Sequence, residues 1–276
     1  MYRYSMTQWI VGNENIENSF QRLKKYGYDG IEFAAEPYTT DQDMIVKLME
    51  KYEISCTSLC GIFTTDRDLS AKYAQGGIQY LKDCVDFAIK VKAPYIIVVP
   101  SPVGRTEPVK DCNYEEAWAN AVKSIKIAAD YAQSKGVCLA IEAINRYETY
   151  LVNDLTKALR FVKEINHPAV GLMADLFHMS MEEKNLSASL RMVSDYLMHV
   201  HIADNTREAA GLGNTDFKEI LYVLRDINYQ GPLTMEFLPK IANPYAASDM
   251  GTHAKLMDHY AEHALKYMKT IESSVI

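Results

Sequence analysis

Short apolar runs alternate with longer amphipathic stretches eight times along the 276 residues, and this alternation constrains the fold more than any other feature. The runs are YRYSM from Tyr2, YDGIEFA from Tyr28, ISCTSLC from Ile54 and PYIIVVP from Pro94. They continue with VCLAIEA from Val137, AVGLMAD from Ala169, YLMHVHIAD from Tyr196 and PLTMEF from Pro232. Between them lie the helical patterns NIENSFQRLKKYG, DQDMIVKLMEKY, IQYLKDCVDFAIKV, NYEEAWANAVKSIKIAADYAQSKG, DLTKALRFVKEI and DFKEILYVLRDI, and HAKLMDHYAEHALKYM follows the last run. Strands that alternate with helices pair in parallel, because a parallel neighbour is reached only through a crossover. Eight such units without a Gly-, Pro- or Ser-rich linker predict an α/β fold, a single (β/α)8 TIM barrel over residues 1–276. An open doubly wound sheet is the alternative; the count of eight and the lack of GxGxxG after the first run favour the barrel. KYGYDG, SKG and NYQGP mark turns before the second, fifth and eighth strands.

Composition narrows the partners. Hydrophobic residues make up 48% and charged residues 24%, as in soluble globular chains. With a net charge of −7 and Lys and Arg scattered instead of gathered, neither nucleic acid nor an anionic membrane is an expected partner. A small-molecule ligand fits better. The five cysteines are odd in number and form no CxxC pair, so they read as reduced thiols. MYRYSMTQWI has no basic leader with an apolar core, and no run approaches the ~20 apolar residues of a spanning helix, so a cytoplasmic location is expected.

Barrel enzymes build their sites at the C-terminal ends of the strands. Here the fifth run ends near Glu142, the sixth at Asp175, the seventh near His201 and the eighth near Glu236. An acid at one strand end can simply cap the next helix. Four metal-ligand types at four consecutive strand ends call for a stronger explanation. Three carboxylates and one imidazole are an oxygen-rich set suited to a divalent cation, Mn²⁺ first, with Co²⁺, Mg²⁺ or Zn²⁺ as substitutes. Without a cation, three carboxylates would repel one another in the barrel mouth. Alternation along the strand points both His199 and His201 inward, with His201 at the rim as ligand and His199 one layer below, bonded to a neighbouring acid.

IEAINRYETYLVND, ADLFHMSMEE, HVHIADNTREAAGLG and TMEFLP resemble, in order and spacing, segments of the sugar isomerase/epimerase superfamily with a xylose isomerase-like barrel, and most of all its ketose 3-epimerase branch. The resemblance covers the C-terminal half in motif and the N-terminal half in architecture. It implies that Glu142, Asp175, His201 and Glu236 coordinate one Mn²⁺ or Co²⁺, with Glu142 and Glu236 doubling as acid/base residues. It also implies that Glu148, His178 and Arg207 hold a sugar substrate, and that the chain forms a homo-oligomer, a dimer or tetramer. Where the family often places a tryptophan after the fourth strand, PSPVGRTEP stands instead.

The implied reaction inverts C3 of a free ketose through a cis-enediolate. Two bases on opposite faces are then required, and Glu142 and Glu236 come from strands three apart around the ring, so they can flank a substrate across the mouth. His178, one turn after Asp175, can donate to the C2 oxygen, and Arg207 adds positive charge on the same side. Trp9, Glu36, Cys60 and Ile62 are candidates for the walls from the first three strands, and Glu32 for a buried acid beneath the ligands. An aldose–ketose isomerase is the alternative with similar ligands, and a metal-dependent sugar-binding protein is the non-catalytic one. A multi-metal nuclease on the same barrel wants histidines on earlier strands, whereas all seven here lie from His167 onward, and the net charge opposes DNA.

Overall fold

Runs that are apolar on both faces need cover on both sides of a sheet, and closure into a ring clad by helices supplies it. The computed structural model describes residues 1–110, 112–240 and 254–275. Its first half runs β1 (Tyr4–Thr7), α1 (Ile16–Tyr26), β2 (Gly30–Ala35), α2 (Gln42–Tyr52), β3 (Ser55–Gly61), α3 (Gln75–Val91), β4 (Tyr95–Val98) and α4 (Tyr114–Ser134). The second runs β5 (Cys138–Glu142), α5 (Leu155–Ile165), β6 (Val170–Asp175), α6 (Leu176–Glu182), α7 (Leu186–Met192), β7 (Leu197–Ile202), α8 (Phe217–Asp226), β8 (Leu233–Met235) and α9 (Ala254–Glu272). The strands pair in parallel in chain order, and β1 closes on β8, which makes the expected barrel and excludes the open sheet.

Helix ends follow the sequence signals. Asn113 and Glu116 form a reciprocal capping box at the start of α4. Gly27, at φ 85°, ends α1 in the left-handed region, where a side chain would be strained, and its N–H bonds Leu23 O at 2.9 Å. The pattern HAKLMDHYAEHALKYM opens on His253, outside the described residues; the rest of it lies in α9, which packs between α8 and α1 and completes the helical ring.

The stretch between β6 and β7 carries two helices that periodicity does not reveal. Each is only seven residues long, below the window over which a 3.6-residue period stands out. The outer layer is supplied by α7, which packs on α5 and α8. The extra helix, α6, follows directly from the end of β6.

Inside the barrel the filling is lopsided. Cys60, Ile97, Ala140 and Met173 from β3 to β6 form an apolar cluster. The buried polar residues Ser5, Thr7, Glu32, Thr57, Ser58, His199, His201 and Thr234 come from β1, β2, β3, β7 and β8, while β5 and β6 add only Glu142 and Asp175 at their ends. Ladder registers slip at two places, between Ile31 and Glu32 against β3 and between Leu172 and Met173 against β7. Such irregularities re-aim side chains. Both lie one layer beneath the barrel mouth, beside Glu32 and His199.

Candidate active site

Glu142 and Asp175 are the last residues of β5 and β6, His201 the penultimate residue of β7, and Glu236 the residue after β8. Their strand positions bring them to one end of the barrel. His201 Nδ1 lies 3.5 Å from Asp175 Oδ2 and 3.4 Å from Glu236 Oε2. Glu142, Asp175 and His201 each offer an atom within 4.8 Å of the others.

The neighbours of each group fix which atom it turns to the centre. Asp175 caps α6, accepting from His178 N through Oδ1 at 3.0 Å, which leaves Oδ2 buried without a hydrogen-bond partner. On the far side of the His201 ring, Nε2 lies 3.1 Å from Glu32 Oε2, while Nδ1 has no hydrogen-bond partner. Glu32 in turn accepts from Ser58 Oγ at 2.6 Å, and His199 Nε2 lies 3.1 Å from the same Oε2. The buried acid of β2 therefore holds His201 by a hydrogen bond and lies in ion-pair range of His199, whose ring nitrogens have no hydrogen-bond partner among the described residues. It places His199 where alternation predicts.

Charge here is severely frustrated. Burial, then the charge of Glu236, raises the Glu142 carboxyl well above its ordinary range, and burial also raises Glu236 against the pull of His201. Burial opposes charge on His201, yet Glu32, Glu236 and Asp175 overcome it and hold the imidazole well above its usual value. Burial would also raise Asp175, but His178, His201 and Arg207 pull it well below. A proton on His201 is thus a stand-in for positive charge that the cluster demands. An orphaned carboxylate oxygen, an orphaned imidazole nitrogen and two further carboxylates at the same end fit a divalent cation.

Above the cluster is a cleft of about 300 Å³ lined by the polar residues Glu142, Glu148, His178, Arg207 and Glu236 and by the largely apolar Trp9, Cys60, Ile62, Phe63, Val99, Val103 and Ile144. Trp9 Nε1 donates to Glu236 Oε1 at 3.1 Å. Of the expected wall residues, Trp9, Cys60 and Ile62 are there. Glu36 is not; it is drawn away into a two-pronged pair with Arg67, both contacts 2.9 Å. The segment after β4 supplies Val99 and Val103, and the tryptophan ring in the wall comes from Trp9, after β1.

Arg207 is held on the rim. Its backbone takes the left-handed conformation at φ 63°. That turn is organised by Asp204, whose two carboxylate oxygens accept from the backbone N–H groups of Asn205, Gly211, Gly213 and Thr215. The guanidinium stacks 4.5 Å from the Phe177 ring centre and reaches Glu148 Oε1 at 3.5 Å and Glu236 Oε2 at 3.6 Å. His178, from α6, is buried, and desolvation, against the pull of Asp175, lowers it to about 4, so its ring is neutral at pH 7. The two acids that follow in ADLFHMSMEE serve the scaffold: Glu182 pairs with Arg146 at 2.6 Å, and Glu183 accepts from Leu155 N at 2.7 Å. Phe177 is the contributor that sequence reasoning passed over: it stands beside His178 in ADLFHMSMEE, but nothing in that string signals that its ring backs the Arg207 guanidinium.

A family model described as the xylose isomerase-like TIM barrel matches residues 20–259. An L-ribulose 3-epimerase of Methylomonas sp. (strain DH-1) is 30% identical over 262 residues, 88% of this chain and 87% of that protein. The 3-dehydro-D-guloside 4-epimerase of Escherichia coli (strain K12) is 28% identical over 240 residues, 85% and 91% of the two chains. Among solved structures, a D-allulose 3-epimerase from Methylomonas sp. in complex with D-allulose superposes with a TM-score of 0.85 at 26% identity, covering 98% of this chain and 96% of that one. With a matching family model over most of its length and sugar epimerases as its relatives, the chain belongs to the xylose isomerase-like TIM barrel family and is an enzyme of the isomerase class.

Proposed function

We propose that the protein is a metal-dependent ketose 3-epimerase acting on a free ketose. The observation that carries this reading is the Glu142, Asp175, His201 and Glu236 cluster at the floor of the cleft, with Asp175 Oδ2 and His201 Nδ1 left without partners in a charge-starved setting. Those four residues would hold the cation, Mn²⁺ in the first instance. When bound, it supplies Lewis-acid stabilisation of the negative charge that develops as the substrate loses a proton.

Glu142 and Glu236, from β5 and the end of β8, then face a substrate in the cleft from different sides. One takes the C3 proton and the other returns a proton to the opposite face. His178 and Arg207 donate to the oxygens beside the reacting carbon, and Glu148, next to both, accepts from substrate hydroxyls. Relatives that are 3-epimerases of L-ribulose and D-psicose support C3 as the reacting carbon.

Reaction in D₂O tests the assignment directly. A panel of free ketopentoses and ketohexoses, incubated with Mn²⁺ and read by NMR, should give a product carrying deuterium at C3. Label at C1 of a ketose or C2 of an aldose, with protium kept at C3, would make the enzyme an aldose–ketose isomerase. No conversion of any of these sugars would refute the assignment to a free ketose.

A further inference from the structure

The turn after β5 holds a residue to which neither the ligand set nor the substrate contacts assign a role. Asn145 is 1% exposed. Its Nδ2 donates to Glu148 Oε1 at 2.9 Å and lies 2.7 Å from His178 Nδ1, while its Oδ1 accepts from Tyr147 N at 3.0 Å. These partners decide the orientation of the amide. Turned over, it would set oxygen against the Glu148 carboxylate and NH₂ against the Tyr147 N–H, two repulsive contacts in place of two hydrogen bonds. The NH₂ therefore faces His178, and a ring nitrogen that faces an N–H donor must offer its lone pair. Nδ1 is the acceptor, and the single proton of the neutral ring sits on Nε2.

We infer that Asn145 is a positioning residue that locks His178, a wall of the cleft, into the Nε2–H tautomer so that it presents a donor to a substrate oxygen. The inference rests on the proposed function for what that donor meets, while the tautomer itself rests only on the hydrogen bonds. Asn145 also holds Glu148 by the same amide. One side chain thereby sets a hydrogen-bond donor and a hydrogen-bond acceptor side by side in the cleft.

The test is a two-bond ¹H–¹⁵N correlation spectrum of the histidine rings in the full chain loaded with diamagnetic Mg²⁺, with the His178 signals identified by their loss in His178→Gln. The wild type should show a neutral His178 protonated on Nε2. A wild type protonated on Nδ1 overturns the inference without any variant. Asn145→Asp keeps the shape but offers an acceptor where the donor stood, so Nδ1 should become protonated; persistence of the neutral Nε2–H form would refute the role of Asn145. In kinetics, Asn145→Asp should lower kcat by roughly 10²-fold, the scale of losing one donor to developing charge, with KM changed only a few-fold. Undiminished kcat would refute it as well. Failure of the wild type to epimerise any ketose strikes the proposed function alone, and the spectrum still decides the tautomer.

Discussion

Replacing Glu142 by glutamine should harm binding of the cation and yet stabilise the empty protein. In the metal-free fold, burial and the charge of Glu236 hold the Glu142 carboxyl well above its ordinary 4.5, so keeping it there at neutral pH is costly. The cost grows by about 1.4 kcal/mol for each pH unit above 4.5 until the folded value is reached, which bounds it at roughly 3.4 kcal/mol at pH 7. Glutamine has nearly the same shape and no charge. A 276-residue chain unfolds with an entropy near 0.6 kcal/mol per degree, so relief of about 1–3 kcal/mol raises the melting temperature by roughly 2–5 °C. The wild type in Mn²⁺ at 100 times its dissociation constant should gain about 2.7 kcal/mol, a comparable upward shift, and Glu142→Gln should lose most of that gain. Differential scanning fluorimetry of both proteins, with chelator and with Mn²⁺, reads all four melting temperatures. A metal-free variant that melts below the wild type, or one whose Mn²⁺ shift is undiminished, refutes the reasoning.

Glu236→Gln should cut turnover by at least 10²-fold while a ketose still binds, measured as kcat against the dissociation constant from calorimetry, because the loss falls on the proton-transfer step. Arg207→Ala should act mainly through substrate affinity, seen as a several-fold rise in KM. Asp204→Ala leaves the backbone N–H groups of Gly211, Gly213 and Thr215 without their acceptor, that of Asn205 keeping Thr215 Oγ1, and should cost about 3 kcal/mol in denaturant unfolding. For pH, His201 and Glu142 are both raised in the metal-free fold and so keep protons that the unfolded chain has released. The stabilisation from His201 is complete below 6.5 and is lost as pH climbs through its folded value, and Glu142 adds a loss of the same sign above 4.5. The metal-free protein should therefore melt lower at pH 8 than at pH 6, and the Mn²⁺ shift should be larger at pH 8; an equal or smaller shift there counts against a cation on His201 Nδ1.

Much of the architecture is legible in residues that act locally. Alternating runs and amphipathic stretches mark every barrel strand and seven of the helices, because burial imposes a period on each element taken alone. Strand-end positions are legible for the same reason: in a parallel barrel the last residues of all strands gather at one end, so Glu142, Asp175, His201 and Glu236 group together from their spacing alone. What escapes is what depends on partners distant in the chain or on elements too short to carry a period. The paired helices α6 and α7 are of the second kind.

The first kind governs the chemistry. Sequence alone predicted a closed barrel and the four side chains at its mouth, since both follow from spacing along one chain, and the pairing of β1 with β8 then decided against the open sheet. Only the tertiary structure decided which atom each presents. Glu32 reaches His201 Nε2 across 169 residues and leaves Nδ1 turned to the acids, and Asp175 spends one oxygen on its own helix and keeps the other. It also decided that Arg67 takes Glu36 out of the cleft and that Trp9 faces Glu236. A hydrogen bond is directional and satisfied within about 3 Å, so its consequences appear only once the chain has brought remote groups together; burial, which sums over area, leaves its mark on the order of the residues themselves.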